Sequence, residues 1–310
     1  MIVTVTLNPA VDEEYLVPEF RPGSWFRATS VNRSAGGKGI NVSILLRQMG
    51  CDSAALGFLA GYNGEYVRDA LRRERITTNF VNVRGETRTN TYVVDEVGHV
   101  ETGIAELGPY IPEEALSRFF RNYERILHRA DGVVMGGSLP PGVPQDIFRE
   151  LTLLARRHSK PVFIDASGSP LLMALEGGPT VAKIDHRFMS LVMGVPLSTL
   201  DNLVGIAQKV HAQGVPWMVA SYRTYGDLFS TPEGVFIAEV ERKGIVSLFG
   251  ASDALLAGLV LGLGERMPAE DAIRFAMAAA LEDAMHMEKG VRSRASVEQH
   301  LSKVKLDRVG

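Results

Sequence analysis

The sequence predicts an α/β fold: a mostly parallel sheet flanked by helices on both faces, carrying a small antiparallel β lid. Three observations lead there. Short β-branched runs alternate with helix-length apolar stripes along most of the chain. Clusters of Gly, Ser, Asn and Asp follow the short runs, the position where ligands sit in open parallel sheets. Two stretches, 11–34 and 87–103, break the rhythm with polar–apolar alternation and no helical period.

The elements follow in order. Ile2 to Leu7 is a first strand, ended by Asn8–Pro9. Lys38 to Met49 sets Val42, Leu45, Leu46 and Met49 at helical spacing, and Ala54 to Leu59 returns to strand. Thr91 to Asp95 and His99 to Gly103 form a hairpin about Glu96–Val97–Gly98. Pro112 to Leu127 carries Leu116, Phe119, Phe120, Tyr123 and Leu127 on one stripe. Val133 to Met135 and Val162 to Ile164 are buried strands, followed by Gly136–Gly137–Ser138 and by Asp165–Ala166–Ser167–Gly168. Asp201 to Gln213 is a helix and Trp217 to Ala220 a strand; helices over Asp253 to Leu263 and Ala269 to Met287 complete the series. Strand–helix alternation of this kind builds parallel sheets with crossover helices. The main domain is expected over 1–10, 35–86 and 104–310, and the lid over 11–34 and 87–103.

Bulk properties narrow the function. The 310 residues suit one large domain with an appendage, and 45% apolar with 22% charged residues is ordinary for a globular protein. A net charge of -3 without a basic run argues against a nucleic-acid partner. An anionic substrate then needs a few placed Lys or Arg residues. A single cysteine, Cys51, excludes an internal disulfide and suits a reducing cytoplasm. The start lacks a basic segment before its apolar run, unlike a signal peptide. The apolar stretch Ala254 to Gly264 is far short of the roughly 20 residues a membrane span needs, so no membrane partner is expected.

Two segments carry chemistry. In Ala35–Gly36–Gly37–Lys38–Gly39–Ile40–Asn41, glycines at a helix start let the backbone approach a ligand, free N–H groups favour an anion, and Lys38 adds charge. The segment also reads as a plain tight turn with an exposed lysine. It is not a Walker A loop. In Gly250–Ala251–Ser252–Asp253, small residues open an apolar helix and Asp253 could take a proton from a hydroxyl. From local sequence alone Asp253 reads first as a helix cap. No Gly-x-Gly-x-x-Gly follows the first strand, which weakens a nicotinamide oxidoreductase.

The order of motifs along the chain is more specific than either segment. Asn8–Pro9–Ala10–Val11–Asp12, Gly36–Gly37–Lys38–Gly39 with Asn41, and Thr87–Arg88–Thr89–Asn90 come first. Gly137–Ser138–Leu139–Pro140–Pro141–Gly142, Asp165 with Ser167–Gly168, and Gly250–Ala251–Ser252–Asp253 follow. Together they resemble the ribokinase-like (PfkB) sugar kinases, in the 1-phosphofructokinase and tagatose-6-phosphate kinase branch. The resemblance implies ATP-dependent phosphorylation of a ketohexose phosphate, fructose 1-phosphate or tagatose 6-phosphate, with Mg²⁺. It implies that Asp12, Gly37, Lys38, Asn41 and Ser138 hold the sugar, and that Arg88 and Asn90 reach its phosphate. Asp253 becomes the general base, with the Gly250, Ala251, Ser252 and Asp253 backbone stabilising the transferring group. Lys183, Asp185, Ser221, Arg223 and Gly226 fall on the ATP side, Asp185 reaching a metal through water. A homodimer through the lid is also implied.

The nucleotide side departs from the family pattern. Lys183–Ile184–Asp185–His186–Arg187–Phe188 stands for Lys-Pro-Asn-x-x-Glu, so Phe188 replaces a glutamate. Arg223 replaces a glycine that approaches the nucleotide, and Ser252 a glycine before the catalytic aspartate. Leu281, Glu282 and Asp283 replace small residues expected beside adenine. Two readings stay open: a kinase with an altered donor pose, or a phosphosugar-binding protein that has lost catalysis. The scattered His128, His158, His186 and His211 lack metal-ligand spacing. Met277, Met285 and Met287 read as core filler, and Trp25 with Phe26 as apolar anchors of the lid.

Overall fold

The computed structural model describes residues 1–98, 100–185, 199–286 and 289–309. Phe188, His186 and Met287 lie outside them. At the centre is β1 (Ile2–Thr6), whose Ile-Val-Thr-Val-Thr run is buried on both faces. It pairs in parallel with β4 (Ser53–Leu59) and with β8 (Gly132–Gly136). Parallel pairing continues outward to β5 (Thr77–Asn82) on one side. On the other it runs through β9 (Val162–Asp165) and β10 (Val181–Ile184) to β11 (Trp217–Arg223). The antiparallel strands β12 (Gly226–Thr231), β13 (Gly234–Val240) and β14 (Val304–Arg308) complete a 10-stranded sheet in the order β14-β13-β12-β11-β10-β9-β8-β1-β4-β5.

Alternate residues of each strand point to opposite faces, so each face needs its own helices. Val133 and Met135 join one core and Val134 the other. The first core packs under α3 (Glu113–Leu127), α4 (Ile147–Arg157), α5 (Gly168–Glu176) and α6 (Leu200–Ala212). The stripe read in the sequence is the buried face of α3, where Phe119, Tyr123 and Leu127 are inaccessible and Tyr123 donates to the Leu151 carbonyl at 3.1 Å. The second core packs under α1 (Lys38–Gln48), α7 (Ala251–Gly264) and α8 (Ala269–Ala284). Helix α7 is buried almost all round, as its unbroken apolar run requires. A third cluster joins β4 and β5 to α2 (Gly61–Arg73), and the short α9 (Arg294–Glu298) caps the α8 side.

The lid is a four-stranded sheet in the order β3-β2-β6-β7. Its strands are β2 (Ala10–Val17), β3 (Ser30–Gly36), β6 (Arg88–Asp95) and β7 (Val100–Ala105). The outer pairs are antiparallel, as expected. The middle pair, β2 with β6, is parallel, because both strands leave the carboxyl ends of parallel main-sheet strands, β1 and β5, which flank β4. This register sets Asp12 opposite Asn90. Trp25 is fully exposed, and Phe26 packs on Phe20 with ring centroids 5.5 Å apart.

Candidate active site

The carboxyl ends of β1, β8, β9 and β10 and the inner face of the lid meet around the N-terminus of α7. Two hollows open there. The first, about 310 Å³, is walled by Asp12, Gly37, Lys38, Asn41, Arg88, Asn90, Ser138, Gly250, Ser252 and Asp253, all expected from the sequence, and by Tyr92, Phe249 and Lys289, which were not. The second, about 570 Å³, is lined by Lys183, Ser221, Arg223, Gly226, Ala251 and Ser252. Leu248 and Ser252 border both, so the hollows touch at the helix start.

Gly37 starts α1 with φ 118°, a conformation that L side chains rarely adopt, and a Cβ there would lie 2.6 Å from Thr6 Cγ2. Gly37 itself offers no side-chain cap, Thr6 Oγ1 accepts from the Ile40 N–H at 3.0 Å, and the amino end borders the cavity with Lys38 at the first position. The Lys38 ammonium bridges Asp165 at 2.9 Å and Asp253 at 3.2 Å. Burial works against its charge, but these two carboxylates outweigh burial and hold its pKa above the usual lysine range. Burial likewise opposes charge on Asp165, and Lys183 and Lys38 nevertheless keep it below the usual carboxylate range. Lys183 lies 3.6 Å from the same Asp165 oxygen.

Asp253 is nearly buried, and its second oxygen accepts a hydrogen bond from Asn41 Nδ2 at 2.7 Å. Asp12 receives Asn90 Nδ2 at 2.8 Å and the Lys289 ammonium at 2.7 Å. Arg88 donates to the backbone carbonyls of Asn8 and Glu106, each at 3.2 Å, and burial lowers its pKa. Asn8 donates to Ser138 Oγ at 3.1 Å. Asn8 and Asp165 were read from the sequence as strand-end polar residues and motif members without a role of their own; here they orient Arg88, Ser138 and Lys38.

The departures on the second hollow are milder than the sequence suggested. Ser252 lies inside α7 with helical geometry, while Gly250 takes the left-handed position at φ 107°. Two of the four local N–H groups are used: Ala251 donates to Leu248 at 3.3 Å and Asp253 to Gly250 at 2.8 Å. Among the described residues, Gly250 and Ser252 are left to face a ligand. Arg223 is absent from the non-glycine residues of positive φ, and its guanidinium turns to Glu239 at 2.5 Å and to the Tyr222 ring. Glu282 does not lie in the cleft, contrary to expectation. It is buried against His300 at 2.8 Å, and Met277, Ala280, Leu281 and Ala284 line the cleft instead. Asp283 also turns away, accepting from Gly290 N at 2.6 Å. Asp185 follows β10 beside Asp165, whose pKa it raises. Phe188 lies outside the described residues.

A polar acceptor cavity touching a donor cleft at an open helix amino end is the arrangement of a group-transfer enzyme acting on an anion. Residues 5–283 match the pfkB family carbohydrate kinases, and the chain belongs to that family. The chain is 34% identical to the 1-phosphofructokinase of Bacillus subtilis over 309 residues, covering all of both chains. A possible 1-phosphofructokinase of Thermotoga maritima shares the structure at TM-score 0.93 and 36% identity, again over the whole of both. Phosphofructokinase-2 of Escherichia coli in complex with fructose-6-phosphate shares the fold, at TM-score 0.85 and 24% identity over 97% of this chain and 98% of that one. The protein is a sugar-phosphate kinase, and no observation favours the phosphosugar-binding protein without catalysis.

Proposed function

We propose that the enzyme transfers the γ-phosphoryl group of ATP to a ketohexose phosphate, with fructose 1-phosphate as the acceptor. The observation that carries this reading is the shared border at Leu248 and Ser252, where acceptor and donor hollows meet at the start of α7. The 1-phosphofructokinase relatives support fructose 1-phosphate over tagatose 6-phosphate. Asp12, Gly37, Asn41, Asn90 and Ser138 position the sugar, while Lys38 and Arg88 bind its ester. Arginine's planar fork suits that ester because it donates in pairs.

Asp253 takes the proton of the acceptor hydroxyl as the oxygen attacks the γ-phosphorus. The N–H groups of Gly250 and Ser252 and the dipole of α7 stabilise charge on the transferring group. Lys183, Ser221, Arg223 and Gly226 form the ATP side. Mg²⁺ fits beside Asp165 and Asp185, since this ion commonly takes one or two carboxylates and completes its shell with phosphates and water. It would supply charge neutralisation, Asp185 reaching it through water.

Fully exposed Trp25, with Val31, Val100 and Ile104 on the lid's edge strands, supports a homodimer through the lid. Cys51, partly buried and free, fits a reducing cytoplasm. A coupled ADP-release assay across phosphosugars tests the reaction. Turnover with fructose 1-phosphate and ATP is expected, and ATP consumption with none of them would refute it.

A further inference from the structure

We propose that Lys289 sets the specificity of the acceptor cavity for a phosphorylated sugar, by neutralising Asp12 and giving the cavity its net positive charge. This rests on reading that cavity as the phosphosugar site. Lys289 belongs to no motif. It comes from the segment after α8 and reaches across the molecule to the lid, where its ammonium meets Asp12 Oδ2 at 2.7 Å. The same ammonium stands 3.8 Å from the centroid of the Phe249 ring and 6.0 Å from that of Tyr92. Those rings meet edge-on at 4.5 Å, and Phe249 directly precedes Gly250, the cap of α7.

The charge balance shows why this residue matters. The charged walls of the cavity are Lys38, Arg88 and Lys289 against Asp12 and Asp253. Removing Lys289 leaves a neutral cavity. Lys38 is already shared between Asp253 and Asp165, and Arg88 gives two of its N–H donors to backbone carbonyls. Asp12 is only 3% exposed, so its charge is poorly screened by water. An ester dianion placed beside an uncompensated Asp12 is repelled. A neutral sugar, which needs Asp12 only as a hydrogen-bond acceptor, is not. Lys289 therefore acts through Asp12 and through the field of the cavity, as a positioning and specificity residue.

The test compares the parent enzyme with Lys289→Gln and Lys289→Arg. Glutamine keeps a donor toward Asp12 without the charge, so the tie between lid and body survives. Lys289→Gln is expected to raise KM for fructose 1-phosphate about 10- to 100-fold, the span for losing a charged hydrogen-bond partner. Its kcat should stay within about threefold and its KM for ATP unchanged, as expected when ground-state and transition-state binding fall together. Lys289→Arg should restore KM to within about fivefold of the parent, since it restores the charge. An unchanged KM for fructose 1-phosphate overturns the proposal, as does a matching rise in KM for ATP. Should the parent not turn over fructose 1-phosphate, calorimetry with that compound separates the two readings. Weaker binding to Lys289→Gln than to the parent supports the role of Lys289, equal binding overturns that role alone, and no binding to the parent overturns both.

Discussion

Asp253 lies between two donors, Lys38 and Asn41. In the proposed reaction an incoming ester draws Lys38 toward itself and frees one Asp253 oxygen for the acceptor hydroxyl. Asp253→Asn keeps the shape and removes the proposed base. Turnover should fall by about 10²- to 10⁴-fold with KM for the phosphosugar nearly unchanged, as steady-state kinetics will read. A large rise in KM instead would mark Asp253 as a binding group. Lys38→Ala should mainly raise that KM. Asp283 shows its effect in stability. Burial pushes its carboxyl up to about 7; the nearby charge of Asp253 adds to the shift and the Gly290 N–H opposes it. The folded state thus holds a proton that the unfolded chain has released, and stability falls as pH rises through the window between the usual carboxylate range and about 7. Asp283→Asn, with its carbonyl still accepting from Gly290, should raise Tm at pH 8 by about 3 °C or more and change it little at pH 4. Calorimetric melts at both values check the sign.

At the scale of elements, the amino end of α7 is the most constrained part of the site. Gly250 holds φ 107°, and a Cβ there would stand 2.8 Å from Asp283 Oδ2. Gly250→Ala should lose about 1–3 kcal/mol of stability in urea titration, and kcat should drop with it, because the donors beside it are displaced. Local sequence made this element legible, as it did β1, β8, β9 and their polar ends: strand period and turn chemistry are written within a few residues. Partners were less legible. Side-chain alternation tells which face of β2 is buried but not that β6 lies beside it in parallel, a pairing that joins Asp12 to a residue 78 positions on. Helix α2 escaped notice because its apolar face is thin, with only Gly64, Val67 and Leu71 buried. Along α8, composition could not fix which side met the cleft, so Glu282 was assigned there while it in fact faces His300. Lys289 had no local signal at all, since its partner lies 277 residues away.

At the scale of the whole molecule, the lid's outer strands are unpaired at their outer edges among the described residues and carry exposed Val31, Val100 and Ile104. Such edges invite pairing with a second copy. Sedimentation should find a dimer, and Ile104→Glu should shift it toward monomer; a monomeric parent at micromolar concentration would remove the lid from consideration as an interface. The parallel union of β2 with β6 also dictates an order of assembly. Each excursion alone yields one hairpin, β2–β3 or β6–β7, and an isolated hairpin is marginal in water. The two can zip together only after β1, β4 and β5 have aligned the roots from which they spring. The flap is therefore expected to form last and unzip first. Its amides should exchange with deuterium through openings well below the free energy of global unfolding, and a sugar lodged against Asp12 and Asn90 should slow them before any others.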